Sequence, residues 1–438
     1  MKINQFSIYI LAIGLLAFTG LSCSGDKTSD TGSQSDNEDG RVEMADITVP
    51  EGFEAVKVSE ELGAARHLTV RDNGDVYVRL RSQTNGGGIA ALRDTNGDGK
   101  ADRTEFFEST SGTGIEIHNG YLYFSSTTEV KRIPLPEGDK LVPEGKIETV
   151  VTNFPDQNQH AAKPLTFDNS GNLYVTVGAP SNSCQKNDRT KGSPGMDPCP
   201  LLEEHGGIWQ FDADKLNQDH MEDGVHYATG IRHTVSLAWK DNVEKLYTVQ
   251  HGRDQLKSLF PDHYTQEESA ELPAEEFLKV EKGSNFGWPY AYYDHTQDKK
   301  VLAPEYGGDG EKVGRASEFD DPILAFPGHW APNGLTFYQA DQFPEKYRDG
   351  AFVAWHGSWN RAPLEQQGYK VSFVPFSGGE NPSGDYEPFA DKFAGADPLN
   401  SPGQAEHRPS GVTVGPDGSL YVSSDASGTV WKITYSGS

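Results

Sequence analysis

Cysteine is scarce in this chain: three in 438 residues. That excludes a small disulfide-dense scaffold. No C-x-x-C-H occurs, so no c-type haem is attached here. Basic residues are few, 38 Lys and Arg against 65 Asp and Glu, for a net charge of −27. Such a surface repels nucleic acid and anionic lipid, so neither is expected as a partner. Long apolar runs are missing after the first 22 residues. What is present is punctuation and rings: 48 Gly, 26 Pro, 18 Tyr, 21 Phe and 7 Trp. Dense turn residues between short apolar runs favour strands over helices, with aromatics enough for a core. The length suits one large domain or two average ones.

The chain starts "MKINQFSIYILAIGLLAFTGLSC". A basic start, an apolar stretch and small residues before Cys23 have the form of an export signal. The stretch is too short for a membrane span. A cysteine placed there is expected to be a lipoprotein acceptor, cleaved before it and lipidated on it. Gly20 stands where such signals usually carry leucine; the plainer alternative is an ordinary signal with an incidental cysteine. Residues 1–22 are thus expected to be signal and residues 23–44 an acidic tether without apolar residues to bury. The folded domain is expected over 45–438. The expected location is a membrane-anchored lipoprotein facing the periplasm or cell surface, touching the membrane only through its N-terminal lipid. In an exported chain, the two remaining cysteines, Cys184 and Cys199, are expected to pair, closing a loop worth roughly 3 kcal/mol. Two cysteines without matching histidine spacing do not make a zinc site.

One pattern recurs six times: a period-2 strand, a turn of Asp, Asn or Gly, and a second strand centred on Tyr or Phe. It reads "ARHLTVRDNGDVYVRL" at 65–80, "AKPLTFDNSGNLYVTVG" at 162–178 and "RPSGVTVGPDGSLYVSSD" at 408–425. The other copies begin near residues 112, 232 and 332. A third strand often follows. Repeated antiparallel units predict an all-β, six-bladed β-propeller with four-stranded blades. The unpartnered "FEAVKVSE" at 53–60 is expected to close the ring by joining the last blade. A β-sandwich with the same strand signals is the competing fold.

In such a blade the chain enters strand one and leaves strand two on the same face. Residues at those two points share one rim of the central channel. Before the first strands stand Arg66 and His67, His160 and Lys163, Arg232 and His233, His329 and Trp330, His407 and Arg408. After the second strands stand "QHGRD" (250–254) and "HGSWNR" (356–361), and Lys370 opens a nearby strand. A chain of net charge −27 has gathered cations and histidines at one place, which predicts an anion site. The alternative is that each arginine pairs with an acid of a neighbouring blade. Arginine forks and the faces of Trp359 and Trp330 suit a flat, multiply charged aromatic anion. His160, as a neutral imidazole beside it, is placed to take a proton from a substrate hydroxyl.

The segments "LTVRDNGDVYV", "GNLYVTVGAPSNSC", "ATGIRHTVSLAW", "VQHGRDQL", "EEFLKVEKGSNFGWPYAYYD", "VAWHGSWNRAP" and "GYKV" together resemble the sorbosone/glucose dehydrogenase family, from about residue 50 onward. That family comprises six-bladed propellers that use pyrroloquinoline quinone (PQQ), and the sorbosone-type branch is the nearer one. The resemblance implies oxidation of a sugar or related alcohol or aldehyde, with hydride passing to PQQ held by Ca²⁺ and with a separate electron acceptor. It implies His160 as the base. Arg232, His233, Lys370, Arg408, Trp359 and Arg361 would contact the cofactor, and Gly252 and Asp254 would hold its calcium. The chain departs from the pattern at His233, where many relatives have asparagine. Ser410 stands where the glucose enzymes carry a second arginine, and Gln159 precedes His160. These departures leave the glucose-type substrate fit open.

"DTNGDGKADRTE" (94–105) matches a calcium-loop pattern through Asp94, Asn96, Asp98, Gly99, Asp102 and Glu105. Strands rather than helices flank it, so the expectation is a structural Ca²⁺ stapling a hairpin; the alternative is an acidic turn whose glycines permit the bend. Two other functions share the scaffold: a non-catalytic carbohydrate- or partner-binding propeller, and a metal-dependent lactonase. The lactonase wants carboxylate and amide ligands on a rim that here is mostly His and Arg.

Overall fold

Six antiparallel sheets stand around a common axis in a computed structural model that describes residues 40–437. Blade 1 runs through Ala65–Val70, Val76–Thr84, Gly87–Arg93 and Arg103–Phe107. Blade 2 runs through Ile115–His118, Tyr121–Ser125, Val130–Pro134 and Glu148–Thr152. Blade 3 comprises Leu165–Phe167, Asn172–Val177, Gly207–Asp212 and Val225–Thr229, and blade 4 Ala238–Lys240, Lys245–Gln250, Glu275–Val280 and Leu324–Phe326. Blade 5 comprises Pro332–Phe337, Ala351–Trp355, Lys370–Val374 and Glu387–Ala390. Blade 6 takes Pro409–Val414, Leu420–Ser424 and Val430–Tyr435 from the end of the chain and Phe53–Ser59 from its beginning. The expected propeller and its closing strand are therefore both present. Blade 2 carries one addition, a short parallel strand Gln218–Asp219 on its outer edge.

The first strand of each blade faces the axis. Their side chains line a narrow channel that includes Thr69, Glu116, Thr166, Asp241, Thr336 and Thr413, one residue from each blade. Outside the channel, apolar residues at alternate strand positions interlock between neighbouring sheets. Arg79, fully buried in blade 1, ties it to blade 2 by donating from Nε (3.1 Å) and Nη2 (2.8 Å) to the Ser125 carbonyl.

Ring closure has its own core. The Phe53 ring meets Phe343 edge-on at 4.8 Å and Phe389 at 5.1 Å, so the closing strand plugs an aromatic cluster shared by blades 5 and 6. Edge-to-face pairs of this kind add to the area buried. A small hairpin, Arg41–Met44 with Ile47–Pro50, leads into this strand and bridges to Asp391 through Thr48. It begins inside the stretch expected as tether, because Val42, Ile47 and Val49 pack into the same cluster. The expected signal segment, Cys23 and residues 23–39 of the tether lie outside the described residues. Among the described residues no helix is long and apolar enough to cross a membrane.

Phe53→Ala is expected to destabilise the ring by about 3 to 5 kcal/mol, the usual cost of removing a buried Phe ring. The denaturant midpoint at unchanged slope measures this. A loss under about 1 kcal/mol would mean that the strand ladder alone closes the ring.

Candidate functional site

On one face of the ring, loops from all six blades enclose a cavity of about 430 Å³ at the mouth of the channel. It collects Arg66 and Arg81 from blade 1, His160 and Lys163 from the entry to blade 3, and His233 and His251 from blade 4. His356 and Trp359 come from blade 5 and Arg408 from blade 6. No Asp or Glu lines it.

His160 is held in a conformation that a side chain rarely adopts. Its φ is +53°, in the left-handed region. Gln157 Nε2 donates to the His160 carbonyl at 3.0 Å and to the Gly178 carbonyl at 2.9 Å, fixing the turn. Gly178 is required there: a Cβ would lie 2.7 Å from the His160 Cβ and carbonyl oxygen. The His160 ring stacks on His233 at 4.5 Å, and His233 meets His251 at 4.9 Å. Strained backbone of this kind concentrates at functional sites.

These imidazoles are neutral. Burial, then the Arg232 guanidinium, pushes His160 down to about 3. The same two causes push His251 to about 3, and burial, against the pull of Asp425, brings His356 to about 4. His160 Nδ1 lies 2.5 Å from the Ala179 carbonyl, so it carries the proton and donates. Nε2 is left as a free acceptor. His233 Nδ1 is buried with no partner among the described residues.

The cations divide into two groups. Arg66 and Arg408 sit near one carboxylate, Asp425, which His356 Nε2 contacts at 2.7 Å. Arg408 donates to the carbonyls of His356 (3.1 Å) and Gly357 (2.6 Å). Trp359 is 53% exposed, an indole face left open at the cavity mouth.

Other residues named from sequence stand elsewhere. Arg232 does not line the cavity; it donates to the Gly252 carbonyl (2.8 Å), Asp254 (2.8 Å) and both oxygens of Asn182. It is a strut that ties the 250–254 loop to Asn182, just before the Cys184–Cys199 disulfide loop. Asp254 also accepts from Arg189 (2.6 Å) and Asn360 (3.0 Å). Burial would raise its carboxyl, but Arg232 and Arg189 hold it well below the usual carboxylate range. Lys370 places its amine 3.8 Å over the Trp330 ring, outside the cavity. Arg361 is engaged by Glu271 and the carbonyls of Ala270 and Glu365. For Arg232 and Arg361 the alternative of pairing with a nearby acid is what the structure contains.

The expected calcium site at Gly252 and Asp254 does not fit a metal as it is arranged. Gly252 already accepts from Arg232, and two guanidiniums flank Asp254. In the 94–105 loop, Asp94 accepts from the backbone of Asn96, Gly97 and Gly99. Asn96 accepts from Asp98 N, Asp98 from Lys100 N and Asp102 from Thr95, while Glu105 pairs with Arg103. Among the described residues no three His, Cys, Asp or Glu converge as a metal site. These backbone bonds shape the turn and leave further lone pairs on its carboxylates.

Arg81 and Asp425 are part of the site or its support and do not stand out in the sequence, whereas His356 lies in the 356–361 rim segment. Asp425 directly follows the second strand of its blade, where the same rim rule applies, whereas Arg81 lies inside the long strand Val76–Thr84.

A family model described as TrAA12-like matches residues 47–436. The pyrroloquinoline quinone-dependent pyranose dehydrogenase of Coprinopsis cinerea is 27% identical over 277 residues, 55% of this chain and 36% of that one. The chain spans 36% to 48% of the length of the curated relatives it matches. Two solved structures share the fold. The holo pyranose dehydrogenase PQQ domain from Coprinopsis cinerea superposes with a TM-score of 0.69 at 20% identity, covering 89% of this chain and 97% of that one. The calcium structure of the Trichoderma reesei family AA12 enzyme gives 0.71 at 19% identity, with the same coverage. The family match takes in every blade, from the hairpin before the closing strand to the last strand, and the chain belongs to the TrAA12-like family.

Proposed function

We propose that this protein oxidises a sugar or related alcohol or aldehyde in the axial cavity, with PQQ as cofactor and a separate electron acceptor. One observation carries this reading: a neutral His160 with a free Nε2 faces a cavity that collects three guanidiniums and no acid. The PQQ-dependent relative and the propeller fold support it.

The residues present fit the quinone. Arg66, Arg81 and Arg408 match a polycarboxylate, and the exposed Trp359 offers a face for a flat ring. When bound, PQQ supplies a two-electron acceptor for a C–H hydride. The chain's own residues do the rest. The Ala179 carbonyl fixes the His160 tautomer, so Nε2 receives the hydroxyl proton. Stacking on His233 holds the ring plane, and the strained turn aims it. Proton uptake by His160 is unfavourable because the ring is buried and Arg232 is near; a bound anion offsets that field. No step is assigned to Ca²⁺, since Gly252 and Asp254 are already engaged. Export and lipidation at Cys23 complete the proposal and place oxidation at a membrane-anchored protein outside the cytoplasm.

The first test is titration of the purified protein with PQQ, followed by absorbance and by dye-linked oxidation of a pyranose panel. Saturable uptake with turnover of at least one sugar is expected; no uptake overturns the proposal. His160→Gln is expected to keep uptake and to lose roughly 10²- to 10⁴-fold in turnover. The pH behaviour follows from the lowered value. A free imidazole gains its proton near 6.5, but His160 stays neutral until about 3. Its ring resonance, assigned by its loss in His160→Gln, should therefore not shift between pH 8 and 5. A midpoint near 6.5 would remove the basis for a preset neutral base.

A further inference from the structure

A second cavity, of about 610 Å³, lies over blades 5 and 6, a size within the range of small-molecule sites. Its walls are the 365–369 loop, the 391–406 connection and part of the first hairpin. Pro332 pairs with Trp355, Trp355 with Lys370, and the next residue, Val371, with Ala390, so these residues share one end of blade 5. Ala331, at that end, lines the axial cavity, so both cavities open on the same face. The wall between them is thin. Gly357 lines the axial cavity and Gly368 the outer one, and a Cβ on Gly368 would lie 2.9 Å from the Gly357 Cα. Tyr369 continues the wall: it lines the outer cavity, and the Arg408 guanidinium of the axial cavity lies 5.8 Å from its ring centre.

The outer lining is one-sided in charge: six carboxylates and one amine, that of Lys392. Glu43 meets Lys392 at 3.7 Å, and Asp46 pairs with Lys57. Asp391 caps only the backbone N–H of Lys392. Glu365, Asp397 and Glu406 make no side-chain hydrogen bond and no ion pair among the described residues. Acids alone are ordinary on a chain of net charge −27. The buried part of the lining is not. Gln366 and Tyr369 are each 3% exposed, and the Gln366 Oε1 and the Tyr369 hydroxyl have no hydrogen-bond partner among the described residues. Gln366 Nε2 is already used, on the Leu364 carbonyl at 3.1 Å. Buried polar groups are normally paired, so two unpaired ones at a single cavity mark the place of a ligand that bonds them.

We infer that the outer cavity is a subsite for an amino-sugar residue, and that the substrate is an oligosaccharide spanning both cavities. Acceptors outnumber donors on its walls, which fits a ligand rich in O–H and N–H groups. Carboxylates accept from neighbouring hydroxyls and pair with an ammonium. The axial cavity has the opposite field. Arg66, Arg81 and Arg408 line it without an acid, so it repels an ammonium and admits an uncharged sugar. The charged residue is directed outward and the neutral one toward His160. That the ligand is a saccharide rests on the proposed sugar oxidation; that it is cationic and donor-rich rests on the outer cavity itself.

The test is calorimetric binding without PQQ, in slightly acidic buffer where sugar amines are protonated. The probes are a disaccharide of glucosamine joined to glucose, its N-acetylated form, and spermidine. Wild type is expected to bind the charged disaccharide about ten-fold more tightly than the N-acetylated one. Glu365, Asp397 and Glu406 are exposed, so Glu365→Gln, Asp397→Asn and Glu406→Gln together keep the fold. They should erase that preference and weaken binding about ten- to hundred-fold. Tyr369→Phe keeps the ring in the wall and should weaken binding about three- to ten-fold. A control triple variant, Glu137→Gln, Asp139→Asn and Glu222→Gln, removes equal charge on the side of blades 2 and 3 and should change nothing. If both triple variants lose affinity equally, or spermidine binds as tightly as the disaccharide, net charge alone is at work and the subsite falls. It falls also if wild type binds no disaccharide. If the disaccharide binds through the three acids but PQQ is not taken up, the subsite stands and the oxidation reading falls. If PQQ-loaded protein oxidises sugars while all variants bind the disaccharide equally, the oxidation reading stands and the subsite falls.

Discussion

The cavity exists because the ring closes. Six sheets can direct their loops to one axis only if the last sheet meets the first, and here that contact is the ladder between Phe53–Ser59 and Val430–Tyr435. The strand that completes it is distant in sequence from its partner, so its pairing depends on long-range packing. The aromatic cluster around Phe53 supplies that packing. Once closed, the ring is stiff enough to hold His160 at a positive φ. A loop on a looser frame would relax, since a few kcal/mol suffices to undo such strain.

Electrostatics then divides the arginines by what surrounds them. A chain of net charge −27 offers a carboxylate to almost any cation, and most of the arginines have one. Arg232 and Arg361 serve the scaffold in this way. Asp254 is likewise a structural acid, bridging two arginines between loops. The cavity is the exception. Its lining excludes acids, and its histidines are held neutral by burial and by nearby positive charge. The result is a site with unmatched cations and free imidazole acceptors, a combination that favours an anionic ligand and proton abstraction in one place.

Much of this was legible in the residues. The six hairpins, the closing strand and the cationic rim follow from period-2 alternation, turn chemistry and the rule that strands one and two share a face. His160 was reachable because it stands just before a first strand, and Trp359 and Arg408 by the same logic. The rule fails for Arg232, Lys370 and Arg361 for a common reason: it sets which rim a residue occupies, not whether its side chain points to the axis or back between blades. It also passed over Arg81, inside the long second strand of blade 1, and Asp425, which follows a second strand whose tail is less conspicuous than "HGRD" or "HGSWNR". In the 94–105 loop the spacing is that of a calcium loop, and the same carboxylates and the Asn96 carbonyl cap backbone N–H groups.

Local order, blade number and the face that carries the polar loops were determined by the sequence alone, because they depend on alternation and on residues only a few positions apart. Which arginine meets an acid and which is left for a ligand was decided by the tertiary structure. Those pairings join residues as far apart as Arg66 and Asp425, and no spacing along the chain encodes the distance between them.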